Sequence, residues 1–254
     1  MSNELILAIS GNDIFSGGGL HADLATFTTN KQHGFVAVTC LTAMTETGFE
    51  IIPVDTTVFK QQLDSLKDVP FSGIKIGLLP NVEIAEIALD FVKAHPDIPI
   101  VLDPVLVCKE THDVEVSALR DELLKFFPHV SLVTPNLPEA ELLLQEKIQT
   151  LDEMKKAAKQ LHQKGVTNVV VKGGNRLNHH KAMDILYDGK NFHLFEEELL
   201  EQNNTGAGCT FASSITSEMV KGHTEYEAVA LSKTFVHKAI KNSDDYGVVQ
   251  YAES

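Results

Sequence analysis

Leu5-Ile-Leu-Ala-Ile-Ser-Gly-Asn-Asp-Ile-Phe-Ser-Gly-Gly-Gly-Leu-His-Ala-Asp23 reads as an apolar strand, a glycine-rich loop and the opening of a helix. A run of Leu, Ile and Ala without polar alternation is what a strand covered on both faces requires. Gly17, Gly18 and Gly19 allow positive φ and close helix packing at the turn. Residues 17–22 also fit G-x-G-x-x-A, a dinucleotide fingerprint. The context does not support it: the glycines begin well after the strand, and no acidic residue closes the second strand, 38–42.

The same alternation continues along the chain. Ala37–Leu41, Gly73–Ile76, Ile98–Leu102, Ser131–Val133 and Asn168–Val171 read as further buried strands. Leu20–Asn30, Thr56–Leu66, Val82–Ala94, Glu115–Phe126 and Leu151–Lys164 have helical patterning, the last preceded by a capping box, Thr150-Leu-Asp-Glu153. Two regions depart from the rhythm. Ala182–Tyr187 and Asn191–Phe195 flank Asp188-Gly189, a hairpin signal. Two closing helices are expected, Gly206–Val220 and Glu225–Lys241. With no linker, repeat or low-complexity tract, residues 1–254 are expected to form one α/β domain, a mostly parallel sheet sandwiched between helices. Ligands of such sheets bind beyond the carboxyl ends of the strands, so the loops there hold the candidate chemistry.

Composition narrows that chemistry. A net charge of -14, from 35 acidic against 21 basic residues, argues against a general nucleic-acid binder. It leaves room for a phosphorylated ligand, which backbone N–H groups and one or two lysines can hold. Cys40, Cys108 and Cys209 form no C-x-x-C, and an odd count is a poor disulfide framework. The first ten residues lack the basic region of a signal peptide, and no stretch approaches the roughly 18 apolar residues of a membrane span. A reduced, cytoplasmic protein is the expectation.

Three polar or glycine-rich stretches follow predicted strands or open predicted helices. Asn203-Asn-Thr-Gly-Ala-Gly-Cys-Thr-Phe-Ala212 is a helix N-terminus, where free N–H groups and the helix dipole favour an anion. Cys209 lies in its first turn, a position that lowers a thiol pKa; the alternative is an inert buried cysteine. Lys172-Gly-Gly174 ends a strand with a cation and permissive backbone, which suits a phosphate. Asp103 ends another strand, and Asn136 and Glu139 follow a third. These groups can hold Mg²⁺ with its waters, and Asn136 and Glu139 can equally cap the next helix. No Walker A motif occurs, and no zinc spacing occurs among the eleven histidines.

Taken in order, these stretches resemble the ribokinase-like small-molecule kinases, in the branch that holds hydroxymethylpyrimidine(-phosphate) kinases and the pyridoxal kinases similar to them. The resemblance spans about Leu5 to Lys241. It rests on Ser10-Gly-Asn-Asp13 with Ser16–Asp23, Ile74-Lys-Ile-Gly-Leu-Leu79, Leu102-Asp-Pro-Val-Leu-Val-Cys-Lys109, Thr134-Pro-Asn-Leu-Pro-Glu-Ala140, Val171-Lys-Gly-Gly174 and Gly206-Ala-Gly-Cys-Thr210. It implies a ribokinase-like fold, often dimeric, and ATP- and Mg²⁺-dependent phosphoryl transfer to a hydroxymethyl group on a heteroaromatic ring.

By the same resemblance, Gly206, Ala207, Gly208 and Cys209 would form the anion hole, with Cys209 as base. Cys108 would assist from a substrate lid. Asp23, Gly19, Met44, Val105 and Val107 would line the substrate pocket. Lys172, Gly174, Asn136, Thr210 and Lys233 would contact ATP, and Asp103 and Glu139 would organise Mg²⁺. Pyrimidine kinases usually carry Gln where this chain has Met44. An amide pairs with an aminopyrimidine and a thioether does not, so Met44 favours pyridoxal, pyridoxine or pyridoxamine. The alternatives are a hydroxymethylpyrimidine(-phosphate) kinase and an inactive vitamin or nucleotide binder. The chain departs from the pattern at Ile14-Phe15, where relatives often have two serines, at Ser16, where they have Gly, and at Asn204-Thr205.

Overall fold

The computed structural model describes residues 4–106, 113–178 and 180–251. Its strands are β1 (Leu5–Asn12), β2 (His33–Thr45), β3 (Gly48–Pro53), β4 (Gly73–Ile76), β5 (Ile100–Leu102), β6 (Leu132–Val133), β7 (Asn168–Lys172), β8 (Lys181–Tyr187) and β9 (Phe192–Glu198). Its helices are α1 (Gly19–Thr29), α2 (Thr56–Leu66), α3 (Val82–Lys93), α4 (Asp113–Leu124), α5 (Leu137–Leu144), α6 (Leu151–His162), α7 (Ala207–Val220) and α8 (Glu225–Lys241). The strands form one nine-stranded sheet in the order β3-β2-β1-β4-β5-β6-β7-β8-β9. From β2 to β7 every neighbouring pair is parallel. β3 at one edge, and β8 and β9 at the other, are antiparallel to their neighbours.

Helices cover both faces, as the continuous apolar strands demand. Leu7, Ile9, Ile74, Ile76, Leu102 and Val171 pack with residues of α2, α3, α5 and α6 in the larger core. Their strand neighbours Val101, Leu132 and Val170 turn the opposite way, onto α7 and α8. Ile6 and Ala8 face α1 through Leu20 and Phe27. Short polar caps fix the helix starts. Asp55 accepts from the N–H groups of Thr57 and Val58 ahead of α2. Capping boxes pair Thr150 with Glu153 and Thr224 with Glu227.

Two elements were not resolved in the sequence pattern. β3 carries Gly48, Glu50 and Pro53 and pairs only with β2, so it lacks the apolar run of a central strand. β2 extends well beyond 37–41 because its second half pairs with β3 rather than with the core. The chain passes from β1 to β2 on one side and returns to β4 on the other. That reversal opens a crevice at the carboxyl ends of β1 and β4, the position where such sheets bind ligands.

Candidate active site

The start of α7 sits on that crevice. Gly206, its N-cap, has φ +83, and a β-carbon there would overlap the carbonyl oxygen of Gly17. Only glycine meets both conditions. The loop before α1 is shaped to match. Asp13 accepts from the N–H of Phe15 at 3.0 Å and of Gly18 at 2.9 Å, and Ser16 adopts the left-handed φ of 59. No side chain caps α7 among the described residues; the N–H of Ala207, expected in the anion hole, instead donates to the Asn204 carbonyl at 3.0 Å, while those of Gly208 and Cys209 remain directed outward. A β-carbon on Gly208 would stand 3.3 Å from Lys172 Nζ and 3.9 Å from Asp103 Oδ2. The helix end therefore faces an ammonium and a carboxylate across a single missing methyl.

Those charges come from the ends of β5 and β7, which flank β6 in the sheet. Lys172 Nζ donates to Asp103 Oδ1 at 2.8 Å, and Thr134 Oγ1 donates to the same oxygen at 3.0 Å. Burial opposes ionisation of Asp103, but Lys172, Lys75 and the hydrogen bonds outweigh it and hold the carboxyl below its usual range. Glu139 is also buried. It accepts from the N–H of Asn136 at 2.8 Å, and Asn136 accepts from the N–H of Glu139 at 2.8 Å, a complete capping box for α5. Burial pushes the Glu139 carboxyl up to about 7, against the pull of Lys172. The capping reading of this pair holds, and Glu139 also adjoins the Lys172–Asp103 pair.

Cys209 corrects an expectation. Its position in the first turn of α7 was expected to lower the thiol. Instead burial pushes it up to about 11. Lys75 and the N–H of Gly19 act downward, while Asp23 and Asp103 act upward. The helix-end effect is outweighed because the sulfur lies among residues from several elements, two of them carboxylates. Cys40, by contrast, is fully buried in the core as expected.

Asp23 and Thr210 are also placed differently from expectation. Asp23 is fully buried. Its carboxylate pairs with Lys75 Nζ at 2.7 Å and accepts from Ser213 Oγ at 2.6 Å, which leaves it no face on a pocket. Thr210 is fully buried too: its N–H donates to the Gly206 carbonyl at 2.9 Å and its hydroxyl accepts from Gln250 at 3.0 Å. Lys75 itself was missed as a site residue. The available signal was a lone lysine inside an apolar strand, since buried lysines are almost always paired.

Two clefts follow the strand ends, and the larger of them adjoins the α7 end. One of ≈ 530 Å³ is lined by Lys172, Gly174, Asp184, Gly208, Phe211 and Lys233, among others. Lys233 is anchored there by Asp184 Oδ2 at 2.6 Å, and Gly174 has φ +54. The other cleft, of ≈ 330 Å³, is apolar and lined by Ile51, Leu78 and Val105, with Leu106 and Asn81. Met44 lies on the β2–β3 hairpin opposite Phe49, 59% exposed, and lines neither cleft. The hairpin is tied to the α1 loop by the N–H of Ile14, which donates to Thr42 Oγ1 at 2.9 Å. Gly19 directs its N–H to the Cys209 sulfur rather than into open space. Val107 and Cys108 lie outside the described residues. No group of three or more His, Cys, Asp or Glu able to hold a metal occurs among the described residues. Nor is any of their helices long and apolar enough to cross a membrane.

A mostly parallel sheet with a glycine-gated helix end over a lysine–aspartate pair defines a ribokinase-like small-molecule kinase. Residues 13–252 match the family model described as phosphomethylpyrimidine kinase, and the chain belongs to that family. It is 38% identical over 253 residues to the pyridoxine kinase of Bacillus subtilis (strain 168), covering 96% of this chain and 92% of that protein. It is 36% identical over 253 residues to the hydroxymethylpyrimidine/phosphomethylpyrimidine kinase of Aquifex aeolicus (strain VF5), covering 96% of each. The structure of the pyridoxal kinase from Staphylococcus aureus in complex with AMP-PCP and pyridoxal superposes with a TM-score of 0.91 at 33% identity, over 98% of this chain and 94% of that one. The chain is a kinase.

Proposed function

We propose that this kinase transfers the γ-phosphoryl group of ATP to the 5'-hydroxymethyl group of pyridoxal, pyridoxine or pyridoxamine. One observation carries the phosphoryl-transfer part. The uncapped turn of α7 faces the Lys172–Asp103 pair across Gly208, beside a cleft large enough for a nucleotide. Phosphoryl transfer depends chiefly on positioning and charge neutralisation, and this arrangement offers both. The B. subtilis pyridoxine kinase and the S. aureus complex with AMP-PCP and pyridoxal support the choice of substrates.

In this reading Gly206, Gly208 and Cys209 present N–H groups to the transferring phosphoryl, and the Asn204 carbonyl, which takes the N–H of Ala207, fixes the turn. Lys172, Lys233 and Gly174 hold the ATP phosphates, and Val105 borders the vitamin ring. The substrate oxygen bonds to the γ-phosphorus, the bond to ADP breaks, and the hydroxyl proton passes to the Cys209 thiolate. Asp103 and Glu139 are two hard carboxylates beside Lys172, a donor set that fits Mg²⁺, which takes few protein ligands and keeps waters and phosphates. Bound there, Mg²⁺ would neutralise phosphate charge. The exposed Leu41 and Ile52, paired across β2 and β3 at the sheet edge, suit burial against a second copy. A homodimer in the cytoplasm, where ATP is supplied, completes the proposal.

A substrate panel read as ADP release tests it: B6 vitamers should be turned over with ATP and Mg²⁺. Cys209→Ala should cost about 10²–10⁴ in turnover while leaving ATP binding intact. Because burial holds the thiol near 11, turnover should climb with pH from 7 toward 10. A flat profile would remove Cys209 from the base role. The second reading, a hydroxymethylpyrimidine(-phosphate) kinase, is favoured by the family's description and the Aquifex relative. It keeps the same chemistry, and turnover of the pyrimidine alone would establish it.

A further inference from the structure

We propose that Lys75 is the positioning residue for Cys209: its ammonium, fixed beneath the first turn of α7 by Asp23 and Ser213, is the permanent counter-charge of the Cys209 thiolate. The inference rests on the reading of Cys209 as base.

The geometry is a two-level stack. At the upper level the N–H of Gly19 meets the Cys209 sulfur. One helical turn below, Asp23 on α1 accepts from Ser213 on α7 at 2.6 Å. Gly19 to Asp23 and Cys209 to Ser213 are both i, i+4 steps, so the two helices present the same pair of levels, about 5–6 Å apart. Lys75 enters from β4, with Nζ 2.7 Å and 2.9 Å from the two Asp23 oxygens. A β-carbon on Gly77 would stand 2.7 Å from that nitrogen, so the ammonium reaches toward the carboxyl end of β4, where the site lies. Ser10 Oγ crowds the same spot, buried and without a hydrogen-bond partner among the described residues.

A buried ion pair is a poor way to stabilise a core, since apolar residues of similar volume often do as well or better. Its location gives it another use. Five charged side chains surround the Cys209 turn: Asp13 from the loop after β1, Asp23 from α1, Lys75 from β4, Asp103 after β5 and Lys172 from β7. Lys172 pairs with Asp103 and lines the nucleotide cleft, so its environment changes with every bound phosphate. Lys75 has no exposed surface, and among the described residues its ammonium is paired with Asp23 alone. Its charge is therefore constant through the reaction. It is also the strongest influence lowering the Cys209 thiol, ahead of the Asp23 carboxylate that opposes it.

The test is alkylation of the free enzyme by iodoacetamide at pH 8, followed peptide by peptide. The Cys40 peptide reports whether the core has opened. Lys75→Met should slow Cys209 alkylation about tenfold, the change in thiolate fraction for one pH unit. Asp23→Asn/Lys75→Met should slow it roughly threefold or more in the same direction, because the stronger influence is lost along with the weaker one that opposes it. Turnover of the vitamin should fall with the alkylation rate, and the KM for ATP should not move. If Lys75→Met does not fold, the double variant carries the test, because it leaves no charge unpaired. A folded variant that alkylates Cys209 at the wild-type rate, with Cys40 still protected, overturns the proposal. The alkylation rates stand whether or not any vitamin is a substrate. Absence of kinase activity in the wild type would sink the proposed function alone.

Discussion

Two glycine-rich helix starts meet in this molecule, and they use glycine for opposite reasons. Before α1, the β-carbons missing from Gly17 and Gly19 would overlap the carbonyl oxygens of Tyr246 and Gly11. That end is locked by backbone contact and by the Asp13 carboxylate, which takes up the N–H of Gly18. At the start of α7, Gly206 belongs to the same lock, because its missing β-carbon would overlap Gly17. Gly208, one step into the helix, does not. The nearest atom to its missing β-carbon is the Lys172 ammonium, at 3.3 Å. The same residue type serves close packing in one place and an open, cation-facing helix end in the other. In the proposed reading the α1 end, tied to the β2–β3 hairpin, belongs to the substrate side and the α7 end to the phosphate side.

Alanine substitution separates the two uses. Gly206→Ala should cost about 3 kcal/mol or more of stability, through left-handed strain together with the displaced Gly17 carbonyl. Urea denaturation measures it, and a loss under about 1 kcal/mol would mean that the two loops are not interlocked. Gly208→Ala should behave in the opposite way. Alanine favours a helix over glycine by about 1 kcal/mol, so stability should hold or rise slightly. Turnover should fall about a hundredfold, as for the loss of one donor of an anion hole, because the methyl crowds the phosphate position against Lys172. If stability collapsed instead, Gly208 would be a packing glycine like Gly206.

This distinction was half legible in the sequence. The glycine runs, their place after strands, and helices such as Thr56–Leu66 and Glu225–Lys241 follow from apolar periodicity and local caps, which act over a few residues. β3 did not, because an edge strand with Gly48, Glu50 and Pro53 is defined by its partner rather than by its own pattern. The candidate site divides the same way. Asp103, Glu139, Lys172 and Cys209 each sit at a strand or helix end that the pattern marks. The partner of Asp23 is 52 residues away on another strand. The proton affinity of Cys209 depends on carboxylates delivered by other elements. Pairings of that kind are set by the sheet order, which no local stretch encodes.

The phosphate side should also show itself in the stability of the free protein. Glu139 is held near 7 when folded, against 4.5 as the ordinary value. A carboxyl raised on folding binds more protons in the native state, so its contribution is present below about 4.5 and lost as pH rises through 7. Between pH 5 and 7.5 the wild type should lose about 2 kcal/mol relative to Glu139→Gln. Glutamine keeps the capping box, since its amide oxygen can still accept from Asn136. Parallel stability curves for the two proteins would show that Glu139 is ionised in the free enzyme. Then the α7 end would not be short of positive charge before ligands arrive.

The smallest effect is expected on the substrate side. A buried site that hydrogen-bonds a ring can reject one that lacks the partner by about 10⁴ or more. Met44 is 59% exposed on the hairpin, so water competes for any hydrogen bond made there. Met44→Gln should therefore shift the kcat/KM ratio of hydroxymethylpyrimidine to pyridoxal by only about tenfold, toward the pyrimidine. The folded stability should not change, because the side chain fills no core space. A ratio that stays put would mean that the ring is read elsewhere, with Val105 and the apolar cleft around it as the remaining surface. A shift far above tenfold would mean that the hairpin closes over the bound ring and excludes water. The two loops joined through Ile14 and Thr42 would then move as one wall, while the α7 end stays fixed.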